Sequence, residues 1–171
     1  MKKQLLTLLV LLGMSINHAI GQLQINATGA NDMRLRTNAT DRLNILTNGN
    51  VGIGTATPNA KLDIQGDVIL KKTQISTIGI QNALDRQNAS YIFFSPSGTV
   101  TLNGIAGGKE GLILYLVNST NTTLIIGNVN GSAAFADQIL TNTGADITIT
   151  GRGGATLMWS IDGWRMIGIA Q

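Results

Sequence analysis

The chain has 171 residues, of which 12% are charged and 4% aromatic, with no cysteine and a single histidine, His18. Disulfide, thiol and imidazole chemistry are therefore excluded beyond residue 18. The net charge of +3 includes Lys2 and Lys3; without them ten cations face nine acids, which gives no electrostatic basis for binding nucleic acid.

The first segment, "MKKQLLTLLVLLGMSINHAIGQ", sets two lysines before a short apolar run and ends in small residues, Ala19 and Gly21. This pattern predicts a secretory signal peptide over 1–21, cleaved near Gly21. The apolar run is well short of the roughly 20 residues that span a bilayer, so no membrane insertion is expected once the leader is removed.

Residues 22–70 read as very short strands, "LQINA", "MRLR", "RLNIL" and "VGIG", separated by Asn, Asp and Gly. "TNGN" at 47–50 predicts a turn with positive φ at Asn48 and Gly49. In "NGNVGIGTATP" glycine alternates with branched aliphatics: Val51 and Ile53 on one side, Gly52 and Gly54 on the other. Glycine weakens a strand and offers nothing to pack, so the pattern needs a reason. Two arrangements satisfy it. Three copies about an axis would bury Val51, Ile53, Leu62 and Ile64, while Gly52 and Gly54 admit another backbone closely. A bulge or bend in a monomer would use the same glycines locally.

The longer stretch "GNVGIGTATPNAKLDIQGDV" (49–68) resembles the GNVGIGT-x-x-P-x-x-KLD segment of phage tail-fibre-like and bacterial secreted fibre-like proteins, matching at Gly52, Gly54, Pro58, Leu62, Asp63 and Gly66. The resemblance implies an intertwined homotrimeric β fibre. The leader favours an exported bacterial protein over a phage component, because phage particles assemble in the cytoplasm.

Residues 71–89 read as a connector holding one or two strands, or a strand and a helical turn at "NALDRQ". From residue 90 the strand signal strengthens through "YIFF", "TVTL", "LILYLV", "TTLIIG", "ADITIT", "ATLMWSI" and "WRMIGI", which predicts a β-sandwich-like module over 90–171. "LILYLV" (112–117) is apolar on both faces and predicts a central strand. "SIDGWR" predicts a hairpin with Asp162-Gly163 as its loop, pairing Ile161 with Trp164, Ser160 with Arg165 and Trp159 with Met166. Ala155, Leu157, Trp159, Ile161, Trp164 and Met166 then share one face, with the tryptophans as diagonal neighbours. "QILTNTGADITITGRGGATLMWSIDGWRMIG" (138–168) is similar to a terminal β module of tail-fibre-like proteins, with Trp159 where a tyrosine is usual.

Catalytic patterns are weak. "GIGTAT" has Thr57 where a dinucleotide loop needs its third glycine, and Pro58 follows where a helix should start. "NGIAGGKE" has Asn103 and Glu110 at positions where a phosphate loop needs Gly and Ser/Thr. Nothing in the spacing unites Glu110, Asp137 and Asp146 as paired carboxylates or as calcium ligands. The scarce aromatics Tyr91, Phe93, Phe94, Tyr115, Trp159 and Trp164 are expected mostly in the core. Polar loops at 104–111, 118–123, 128–137 and 150–154 supply Lys109, Glu110, Asn121, Asn130 and Arg152 as candidate ligand-binding residues, chemistry that suits sugars or polar polymers.

The expectation is therefore an all-β protein: a short-strand fibre or β-helix-like stalk followed by a small β-sandwich-like head. It would be secreted or displayed at the cell surface, non-enzymatic and homotrimeric. It would use no cofactor, metal or nucleic acid, and would contact surface glycans or polymers through residues 90–171. The alternative is a monomeric extracellular carbohydrate-binding module.

Overall fold

The structure is a computed structural model, in which residues 32–170 are described. The expected signal peptide and the "LQINA" strand lie outside these residues. The chain divides into two compact units at residue 67.

The N-terminal unit is one four-stranded sheet, ordered β1 (Met33–Thr37), β2 (Thr40–Ile45), β3 (Val51–Ile53) and β4 (Leu62–Ile64). β1 and β2 form a hairpin across Asn38-Ala39, both at positive φ (49° and 60°), as a tight turn between twisted strands demands. At the β2–β3 turn only Gly49 takes positive φ (80°), which corrects the expectation for Asn48. The side chain of Asn48 closes this turn instead, its Oδ1 accepting from Asn50 N at 2.9 Å. β3 and β4 run parallel, with residues 54–61 looping between them.

Strand alternation then separates two faces. One carries Asn44, Gly52 and Asp63 in register, and the loop covers it: Asn44 Nδ2 donates to Thr55 O at 2.9 Å, and Asn59 N donates to Asp63 Oδ2 at 2.9 Å. The opposite face is aliphatic. Its two rows are Met33–Ile45–Val51–Leu62 and Leu35–Leu43–Ile53–Ile64, read directly across all four strands.

The C-terminal unit is built of stacked coils. The first coil contains β5 (Lys72–Ile75), β6 (Gly79–Gln81) and β7 (Leu84–Asp85). The second contains β8 (Tyr91–Phe94), β9 (Val100–Leu102) and β10 (Ile105–Ala106), and the third opens with β11 (Ile113–Asn118) and β12 (Thr123–Ile126). Each strand lies parallel to its counterpart one coil on: β5, β8 and β11 in one sheet, β6, β9 and β12 in a second, β7 and β10 in a third. This is the all-β, β-helix-like class expected. The coils occupy 72–126, including the stretch read as a connector, and lie downstream of the segment read as a stalk. Parallel partners so distant in sequence leave no local signature.

The chain then reverses. After a short 3-10 turn (Phe135–Asp137) and β13 (Ile139–Leu140) come β14 (Ile147–Thr150), β15 (Gly153–Ser160) and β16 (Gly163–Ala170). β14 lies antiparallel to β12 and β15 antiparallel to β11, so the returning chain covers the last coil. The largest sheet is ordered β13-β16-β15-β11-β8-β5, with β11 central as expected. Inward residues of all three coils and the return, among them Ile92, Phe94, Leu102, Leu114, Leu124, Ile149, Leu157 and Trp164, form one core.

The closing hairpin differs from expectation by one residue. Trp159 pairs with Trp164 and Ser160 with Gly163, so the loop is Ile161-Asp162, with Ile161 at φ 58°. The tryptophans are direct rather than diagonal partners, and Ile161 leaves the core face for solvent. The glycine serves a different need: a Cβ on Gly163 would stand 2.9 Å from Gln138 O, where β13 passes.

Candidate functional site

The loop residues proposed from sequence do not converge. Glu110 is already engaged, its Oε2 accepting from Ile161 N at 2.8 Å, so it braces the β15–β16 turn, with exposed Lys109 beside it. Asn130 Oδ1 accepts from Ser132 N at 2.9 Å and shapes its own loop. Asn121 and Arg152 belong to adjoining turns: Gly151 N donates to Thr122 O at 3.1 Å, and Asn118 Nδ2 donates to both Thr122 O and Gly151 O at 2.8 Å. That corner lies at the start of β15, while Lys109 and Glu110 lie at its end, roughly 24 Å away at the rise of an extended strand. Asp146 Oδ1 accepts from Asn128 N at 2.8 Å, a turn contact. Among the described residues no three His, Cys, Asp or Glu side chains form a group that could hold a metal ion.

The outer face of the six-stranded sheet does assemble a site. Alternation turns Ile92, Phe94, Leu114 and Leu116 inward, and with equal necessity turns Tyr91, Phe93, Tyr115 and Val117 outward. One outward row reads Lys72–Tyr91–Tyr115–Thr156–Gly168, and the next Gln74–Phe93–Val117–Gly154–Ala170. Tyr91 and Phe93 meet edge to face with centroids 6.1 Å apart, and Lys72 Nζ sits 4.9 Å from the Phe93 centroid. Tyr115 remains 42% exposed. Of the aromatics expected in the core, Phe94 and Trp164 are there and Trp159 packs against it, but Tyr91, Phe93 and Tyr115 are outside it.

Side-chain height falls along these rows, from Tyr91, Phe93 and Tyr115 on β8 and β11 to the smaller Thr156, Gly154, Gly168 and Ala170 on β15 and β16. Two adjoining cavities result. One of about 330 Å³ runs past Tyr115, Thr156 and Gly168; one of about 530 Å³ runs past Ser119 and Arg152. They share Val117, Gly154 and Ala170 and form one groove. Among the described residues Arg152 has neither an ion pair nor a hydrogen bond, and no carboxylate lines the groove.

The second feature is the aliphatic face of the N-terminal sheet. The four residues expected at a trimer axis, Val51, Ile53, Leu62 and Ile64, share this face, with Leu62 58% exposed. The glycines behind them are explained within the chain. A Cβ on Gly52 would stand 2.4 Å from Thr55 O, and one on Gly54 2.7 Å from Gln65 O. The close backbone approach expected from a neighbouring copy is thus made by the chain's own loop.

Comparison with protein-family models, curated proteins and solved structures finds no match.

Two signals in the sequence could have located the coils. Ser76, Ser95 and Ser119 each follow a strand of the large sheet, and Asn82 and Asn103 each follow a strand of the second. Ser76 Oγ and Ser95 Oγ lie 3.2 Å apart, and Asn103 Nδ2 donates to Asn82 Oδ1 at 2.7 Å. Such ladders are the mark of a repeat.

Proposed function

We propose that the protein is a secreted, non-enzymatic, fibre-like structural protein that assembles as a homotrimer through its N-terminal sheet and contacts cell-surface glycans or polymers through its stacked-coil unit. The observation that supports it is the pair of four-residue aliphatic rows on one side of a single-layer sheet. A sheet must bury its apolar face against another layer, and the loop over 54–61 lies on the other side. Each aliphatic side chain taken fully out of water contributes about 1.5–3 kcal/mol, so copies meeting through these rows share a core that one sheet lacks. Threefold association is what the resemblance of residues 49–68 to fibre-like proteins adds.

Light scattering on the full secreted chain tests the assembly. The wild type should have the mass of three protomers, and Ile53→Asp should dissociate or aggregate it, because each copy would carry an unpaired carboxylate into the seam. A wild type that is a stable monomer at micromolar concentration would overturn the trimer and leave a monomeric carbohydrate-binding module.

A further inference from the structure

We infer that the groove on the outer face of the six-stranded sheet, between Tyr115 and the backbone at Gly168 and ending at Arg152, binds an acidic polysaccharide, a chain of sugar rings bearing carboxylates.

The first support is the pair of glycines on this face, Gly154 on β15 and Gly168 on β16. Gly154 is required, because a Cβ there would come within 2.4 Å of Leu116 O. Gly168 meets no such clash: its φ is not positive, and the nearest atom to a Cβ would be Thr156 Cβ at 3.9 Å, ordinary contact. It adjoins the bulge at Ile167, where the register with β15 shifts between Thr156 and Leu157, and a glycine there also leaves the outer face of the sheet open to a ligand. The missing side chain at Gly168 is part of what opens the groove beside Tyr115.

The chemistry of the lining narrows the ligand. A half-exposed tyrosine offers a flat face for stacking against the C–H side of a pyranose ring, and Tyr91 and Phe93 extend the aromatic surface onto the next strand. β13 pairs with β16 only at Trp164 and Arg165, so among the described residues the far edge of Gly168–Ala170 has no strand partner and can offer its backbone donors and acceptors to hydroxyls. Among the described residues Arg152 stands at one end of the groove without a partner, Lys72 borders the aromatic surface on the far side of the sheet, and no acid lines the groove. A neutral glycan would leave Arg152 unused. A carboxylate at sugar spacing would pair with it bidentately.

This rests on the glycan-contacting part of the function proposed above, and its test is separable from trimerisation because mass is measured on the same samples. Calorimetric titration of the full secreted chain with polygalacturonate and with hyaluronate, beside neutral dextran and polyglutamate, tests it. Binding is expected for at least one of the two acidic polysaccharides, with affinity at least tenfold weaker for dextran and polyglutamate. Gly168→Val should fill the groove and lower that affinity tenfold or more, with an unchanged melting transition. Tyr115→Ala and Arg152→Gln should each lower it at least fivefold. The inference is overturned if neither acidic polysaccharide binds, if polyglutamate or dextran binds equally well, or if Gly168→Val binds as the wild type does. It is also overturned if the variants change the mass of the particle instead of sugar binding, since the groove would then be an interface between copies.

Discussion

The indole of Trp159 occupies the space a side chain at residue 108 would need: a Cβ on Gly108 would lie 1.8 Å from its Cδ1 and 2.1 Å from its Nε1. The same indole donates from Nε1 to Ala136 O at 3.0 Å, while its cross-strand partner Trp164 donates to Ile105 O at 2.7 Å. The paired tryptophans thus tie β15 and β16 to two segments remote in sequence, the 3-10 turn and β10.

Gly108→Ala should therefore expel the Trp159 ring. An indole is rigid, so the clash cannot be relieved at the end of a flexible chain, and overpacking of this kind costs about 1–3 kcal/mol. Thermal unfolding should show the loss, and tryptophan emission should shift to the red as Trp159 enters water. An alanine variant with wild-type melting and emission would show that the contact does not constrain the fold.

The closing turn gives a prediction of the opposite sign. Ile161, a β-branched residue, is held at φ 58° and is 80% exposed, so it carries backbone strain with little burial to offset it. Ile161→Gly should stabilise the protein by about 1 kcal/mol, measured by urea denaturation. Asp162→Ala should change stability by less than about 1 kcal/mol, because its pair with Arg165 at 2.9 Å is solvent-exposed. A destabilised Ile161→Gly would mean that the turn adopts another conformation in solution.

That turn also shows what the local sequence can and cannot specify. The Asp-Gly signal located the hairpin within one residue, and alternation put Leu157, Trp159, Trp164 and Met166 on one face, as the structure has them. A two-residue loop displaced by one position slides each partner by two, which preserves the faces. The register itself was settled by groups distant in sequence: Gln138 O pressing on Gly163, and Glu110 capping Ile161 N. The coils were hidden for a related reason. Lys72 lies beside Tyr91, and Tyr91 beside Tyr115, so the repeat changes from 19 to 24 residues with loop length. Likewise the all-apolar run at 112–117 suggests burial on both sides, yet the outward Ile113 and Tyr115 stay exposed. Composition alone cannot distinguish a covered face from a binding face.

In the N-terminal sheet, Gly52→Ala separates folding from assembly. Its Cβ would meet the Thr55 carbonyl, a backbone atom fixed by Asn44 Nδ2, so the loop over 54–61 would have to move off the sheet. Amide exchange should accelerate in residues 40–64 while the stacked coils keep their protection, since the two units are distinct. Unchanged exchange across these strands would show that the glycine is dispensable.

The last prediction concerns the one buried cation in the coils. Arg86 is 6% exposed, and its guanidinium is satisfied by carbonyls alone: Nε and Nη2 donate to Gly107 O at 3.1 and 2.8 Å, and Nη1 donates to Ala89 O at 3.0 Å. Gly107 lies one coil on, so the side chain clamps the corner after β7 to the turn after β10. The planar fork reaches two carbonyls in different directions, and its diffuse charge is weakly hydrated, which makes burial without a carboxylate tolerable. A lysine has a single nitrogen and a strongly hydrated charge. It would lose one carbonyl and pay a larger desolvation cost, whereas methionine would lose both hydrogen bonds but bury no charge. Arg86→Lys should accordingly destabilise by about 2–3 kcal/mol and be no milder than Arg86→Met in urea denaturation. If lysine restores wild-type stability, charge alone holds the corner, and the forked geometry is irrelevant to it.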